Sequence, residues 1–138
     1  SQVKVNADLL ARGEERYGIY CTPCHGISGH GDGLVPRRTA VSDYGAWLVT
    51  DLSSEKGLAH PIGELFNIIG YGINTMPGYR SQIPVEDRWA IVAHVKALQF
   101  SQSVDVAEIP AEEKQRLESM EKPSSSEDGS TATPEEGR

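Results

Sequence analysis

The chain reads as an all-α protein, because three stretches carry helical spacing and the segments between them are built from turn residues. The first runs from about Ala7 to Cys21, with Leu9, Leu10, Gly13, Tyr17 and Tyr20 at three- and four-residue steps and Asn6 as its cap. A second opens at His60-Pro61. Proline suits a first helical turn, Leu65, Phe66, Ile68 and Ile69 supply the apolar face, and Gly70 and Gly72 are the expected stop. The third and clearest is Val85 to Gln99. Pro84 precedes it, Glu86 and Asp87 favour its positive end, and Trp89, Val92, Ala93, Lys96 and Leu98 mark its register.

The connecting segments read differently. Gly26–Gly33, GISGHGDG, is too rich in glycine for a regular element. Without a preceding strand or a following Gly-Lys-Ser/Thr, it is a poor phosphate loop. Leu34–Gly57 has no helical or strand period and is expected to be irregular. The segment INTMPGYR is a loop, since Pro77 keeps Met76 out of a continuing helix.

The 138 residues suit one domain of residues 1–100, a short helical extension over 101–122 starting at Pro110, and an acidic tail over 123–138. The tail is rich in Ser, Glu, Pro and Gly, lacks aromatic residues and is expected to be flexible and disordered. Charge follows the same division. Residues 1–100 hold 9 Lys/Arg against 10 Asp/Glu, and residues 101–138 hold 4 against 10. Such an acidic chain lacks the basic face that nucleic acid requires, leaving proteins or small molecules as partners. No apolar run reaches the roughly 18–20 residues that span a bilayer, and Ser1–Asn6 has no signal-peptide character.

Both cysteines of the chain lie in Cys21-Thr22-Pro23-Cys24-His25. They are too close to staple much chain, so their use is chemical. Two thiols at this spacing reach the two vinyl groups of one haem, and the adjacent histidine then lies under the iron. A thioredoxin-like redox pair is the first rival, but it should follow a strand and open a helix. A zinc site is the second, but it needs about four ligands and the chain offers no further cysteine.

The sixth iron ligand is expected to be Met76. Of the two methionines, Met120 lies in polar sequence, whereas Met76 occupies a loop bounded by Pro and Gly about fifty residues beyond His25. A thioether favours ferrous iron, and two strong axial ligands suit electron transfer better than oxygen or peroxide chemistry. His30, His60 and His94 are the rival ligands; His30 is too near the motif to cross the haem plane.

Taken together, the helix ending in CTPCH, the TMPGY loop and the terminal helix EDRWAIVAHVKAL make residues 7–100 resemble a class I cytochrome c. More narrowly, ERYGIYCTPCHG, GHGDGLV, GINTMPGY and QIPVEDRWAIVAHVKALQ resemble the monohaem cytochrome c subunit of bacterial alternative complex III and related respiratory cytochromes. The resemblance implies helices wrapped around one haem c, covalent through Cys21 and Cys24, with His25 and Met76 as metal ligands. It implies that the first and last helices cross at a small residue and pack an aromatic pair. Gly13 and Tyr17 match the first-helix side; His94 stands where the last helix usually has its aromatic residue, with Trp89 one turn earlier. Propionate contacts are expected from Arg38 and Trp47, with Arg37 and Tyr79 behind them. A backbone oxygen at Pro23 or Ile27 is the expected partner of the His25 N–H.

By the same resemblance the chain is an electron carrier, not an enzyme. It would pass single electrons from an alternative complex III-like quinol-oxidising complex to a terminal haem–copper oxygen reductase. A periplasmic site on the outer face of the cytoplasmic membrane, a monomer, and a lipid anchor upstream of Ser1 are consistent with that family. The alternative is a haem peroxidase or gas sensor in which the methionine dissociates.

Overall fold

The computed structural model describes residues 3–43 and 45–121. The chain forms two units, Ser1–Val104 and Asp105–Arg138. In the first, helix α1 (Ala7–Tyr20) starts at Asn6, whose side-chain oxygen accepts the Leu9 N–H at 2.9 Å. Cys21 ends α1, and a single further turn, α2 (Thr22–His25), carries the rest of the motif. Gly26 closes that turn with φ 78°, a backbone that side-chain-bearing residues rarely adopt. Two short helices follow, α3 (Leu34–Ala40) and α4 (Glu55–Leu58). Both fall in the stretch expected to be irregular: each is too short to display a period, and α3 carries Pro36 inside its first turn, where proline is tolerated.

Helix α5 (Ile62–Tyr71) runs through Gly70 and stops at Gly72, φ 84°. Gly70 lies inside the helix, with the Arg88 guanidinium packed against it. A two-residue antiparallel ladder then pairs β1 (Gly72–Ile73) with β2 (Met76–Pro77), placing Ile73 opposite Met76. Asn74 turns the corner with φ 51°. Helix α6 (Val85–Ser103) extends a turn beyond the expected end, so the predicted boundary at residue 100 falls within it. The extra turn has a use: the Gln102 amide donates to the Ser28 carbonyl at 2.7 Å and also meets Ser53.

The core of this unit joins Tyr17, Leu65, Ile69, Ile83, Ile91, Val92 and Val95. Its centre is the crossing of α1 and α6. There a Cβ on Gly13 would overlap the Ala90 carbonyl, so only glycine lets the backbones approach. One turn on, the Tyr17 and His94 rings meet at 5.1 Å and 49°. The histidine therefore fills the aromatic position. Trp89 does not substitute for it, but stacks on Phe66 at 4.2 Å instead. At the rim of the crossing, buried Asp87 takes Arg12 at 2.8 Å and Arg16 at 3.3 Å, pinning α1 to the start of α6.

The second unit contains a short 3-10 turn (Val106–Glu108) and α7 (Ala111–Glu121), which Pro110 opens by accepting the Glu113 and Lys114 N–H groups. The tail over 123–138 lies outside the described residues.

Candidate functional site

A cavity of about 340 Å³ opens beside this core, within the range of small-ligand sites. Leu65, Ile69, Ile91 and Val95 form its apolar floor. Cys21, Cys24 and His25 reach it from the end of α1 and from α2, and Met76 reaches it from β2. A five-residue motif and a methionine about fifty residues downstream thus share one lining.

The state of the two thiols follows from where they sit. Burial, with Cys24 adding, pushes the Cys21 thiol up to about 12, and burial also raises Cys24. Both thiols are free and protonated at neutral pH. A reactive redox pair needs the opposite, a lowered thiol that exists as thiolate. The structure therefore speaks against the thioredoxin-like reading, as does the helix that the motif follows. No cluster of three or more His, Cys, Asp or Glu side chains is present among the described residues, which leaves a zinc site without ligands.

His25 is partly buried in the cavity lining. Burial lowers its pKa, and the hydrogen bond to Thr50 partly offsets this. Its Nδ1 lies 3.3 Å from the Thr50 carbonyl oxygen. A proton on Nδ1 donated there leaves the Nε2 lone pair free. The acceptor is thus Thr50, twenty-five residues downstream, and not Pro23 or Ile27. Local carbonyls are committed elsewhere: those of Thr22, Cys24 and His25 accept the Gly26, Gly33 and Gly31 N–H groups. Tyr17 braces the same turn by donating its hydroxyl to the Gly26 carbonyl at 2.9 Å, and burial raises its pKa.

Trp47 and Tyr79 both line the cavity. Trp47 is tied at its backbone N–H to the Thr39 hydroxyl, 3.0 Å away. Tyr79 donates its backbone N–H to Ile69 and sets its ring edge-on to Tyr20 at 6.2 Å. Arg38 is not brought to the site: it is exposed on α3 and does not line the cavity. Arg37 is turned to Asp32 at 3.1 Å. Residues 47–50 line the cavity, whereas Arg37 and Arg38 of α3 do not.

Among the other histidines, His30 pairs with Asp51 and His94 with the Tyr17 ring, whereas His60 does line the cavity. Sequence reasoning missed Thr50, Lys56 and Gln99. Gln99 is buried in α6 and donates its amide to the carbonyls of Leu52, at 2.7 Å, and Gly57, at 3.2 Å, fixing the far wall of the cavity. Its only signal was a polar residue on an otherwise apolar helix face.

The family model described as cytochrome c oxidase, cbb3-type, subunit III matches residues 8–95. The chain belongs to this cytochrome c family. Its helical fold, with only a two-residue ladder, is a class I cytochrome c fold. No curated protein matches it. A solved structure, the reducing HAO-like protein complex Kustc0457/Kustc0458 of Kuenenia stuttgartiensis, is similar at 22% identity and a TM-score of 0.58. That likeness covers 70% of this chain and 46% of the neighbour, so the chain spans under half of the neighbour's length. It shows a shared fold.

A cytochrome c of this family binds haem c covalently and moves electrons through it. The residues present fit that group: two protonated thiols, one neutral imidazole with a free nitrogen and an apolar floor face one cavity. Cytochrome c domains are extracytoplasmic, and no helix among the described residues is long and apolar enough to cross a membrane.

Proposed function

We propose that this cytochrome is a monohaem electron carrier with His25 and Met76 as axial ligands, shuttling single electrons from a quinol-oxidising, alternative complex III-like donor to a terminal haem–copper oxygen reductase. The observation that carries it is the shared lining: Cys21, Cys24, His25 and Met76 meet one apolar cavity although fifty residues separate the motif from the methionine. When bound, haem supplies the one-electron couple between ferric and ferrous iron.

The chain's own residues do the rest. The Cys21 and Cys24 thiols would hold the haem, each able to add its S–H across one vinyl C=C to make the attachment permanent. His25 offers Nε2 while Thr50 holds Nδ1. Met76 offers a soft sulfur, which favours the ferrous state and raises the potential. Its place is set by the Gly72–Pro77 ladder. Leu65, Ile69, Ile91 and Val95 exclude water, so little solvent need reorganise as charge changes. Ile27, 84% exposed beside the motif, gives the docking face an apolar contact of the kind that weak, transient redox encounters use.

The family's description as an oxidase subunit supports an oxygen reductase as acceptor, and the extracytoplasmic habit of such domains supports a periplasmic location for a monomeric carrier. Stopped-flow mixing of the ferrous protein with a haem–copper oxidase tests the reading. Rapid oxidation by the enzyme with no CO binding to the native ferrous form is expected. Ready CO binding and no oxidation would move the protein to the peroxidase or sensor class.

A further inference from the structure

We propose that Lys56 and His60 hold the haem carboxylates, a role the resemblance gives to Arg38 and Trp47. The inference rests on the haem reading above. Haem is an apolar ring with two carboxylate side chains, and a carboxylate taken into an apolar site requires a cation or hydrogen-bond donors. Among the described residues the cavity lining contains no Arg, Asp or Glu. Apart from His25, its basic side chains are Lys56 and His60.

Lys56 lies within α4 and His60 just beyond its end, and both line the cavity. This segment is fixed from several sides. Ser54 caps α4 at the Gly57 N–H, and a Cβ on Gly57 would overlap the Leu52 carbonyl, so α4 sits directly on the 51–52 turn. Gln99 binds both Leu52 and Gly57 from α6. Lys96 spends its ammonium on the His60 carbonyl at 3.0 Å and does not line the cavity.

Each side chain is left with capacity to bind. His60 Nδ1 lies 3.2 Å from Glu64 Oε2, which orients the ring and leaves Nε2 without a partner among the described residues. Lys56 makes no ion pair among the described residues, although Glu55 precedes it. Trp47, in the same lining, adds an indole N–H. Lys56 and His60 are positioning residues. The Lys56 ammonium would neutralise, and a His60 N–H would hydrogen-bond, carboxylate charge that otherwise stabilises ferric iron, so their removal lowers the reduction potential.

The test uses the haem-loaded protein, with loading verified by the pyridine haemochrome spectrum. Lys56→Gln and His60→Phe are compared with Lys4→Gln, an exposed lysine outside the cavity. Midpoint potential and the redox-difference infrared bands of the haem carboxylates are read. The potential is expected to fall and the bands to shift in both cavity variants and most in the double variant, with Lys56→Arg restoring the native values. Potentials and bands matching Lys4→Gln in fully loaded variants would overturn the assignment. Absence of haem from the native protein would instead remove the function on which it rests.

Discussion

The crossing of α1 and α6 and the lining of the cavity are both built around the core, yet they are held in different ways. At the crossing the chain completes itself. Gly13 meets Ala90, Tyr17 meets His94, and Asp87 meets two arginines, with Ile91 and Ala90 wholly buried. Around the cavity, residues 45–60 and 72–79 are tied by a few hydrogen bonds to helix side chains and to one another, while Leu48 is 90% exposed and Trp47 41% exposed. A contiguous exposed apolar patch marks a surface that a ligand or partner covers. The crossing is a scaffold that packs without a ligand. The lining is apolar surface prepared for one.

Removing the covalent attachment should break this comparison most visibly. A Cys21→Ala, Cys24→Ala double variant is expected to lose covalent haem. In hydrogen exchange its amides over 47–60 and 72–79 should then lose protection by orders of magnitude, while those of α1 and α6 near Gly13 and Ala90 lose far less. Equal loss in both regions would show that the scaffold does not stand apart from the cofactor. Next in size, Gly13→Val forces a side chain into the Ala90 carbonyl and should cost about 3 kcal/mol in chemical denaturation. A cost below about 1 kcal/mol would mean that the helices can separate freely.

The smallest effect concerns His94. Burial lowers its pKa in the folded protein, partly offset by Glu14. As pH falls below 6.5 the unfolded chain therefore takes up this proton before the folded one does, and stability present above that pH is lost. His94→Phe keeps a ring against Tyr17 and removes the proton site. The denaturation midpoint of the variant should fall less than that of the native protein between pH 7.5 and 5.5. Parallel declines would place the acid sensitivity elsewhere.

Much of this was legible from the chain because the signals were local or periodic. The motif at Cys21–His25, the cap at Asn6 and the long helix from Val85 depend on neighbours within a few positions, and so does the loop that isolates Met76. Contacts set by the path of an aperiodic connection were not legible. Nothing near His25 in sequence points to Thr50, and the equal chemistry of Arg37 and Arg38 hid the fact that α3 leaves them outside the cavity while Lys56 and His60 line it. The resemblance could name the kind of residue that meets a propionate, but the turn at 51–60 decides which one is available.

The proposed carrier function depends most directly on Met76 as the partner of His25 across the cavity. The ferric absorption spectrum of the native protein and of Met76→Ala, taken with their midpoint potentials, measures this. The native protein should show the methionine–iron charge-transfer band in the far red, and the variant should lose it together with a large drop in potential. An unchanged band and potential in Met76→Ala would contradict the ligand assignment.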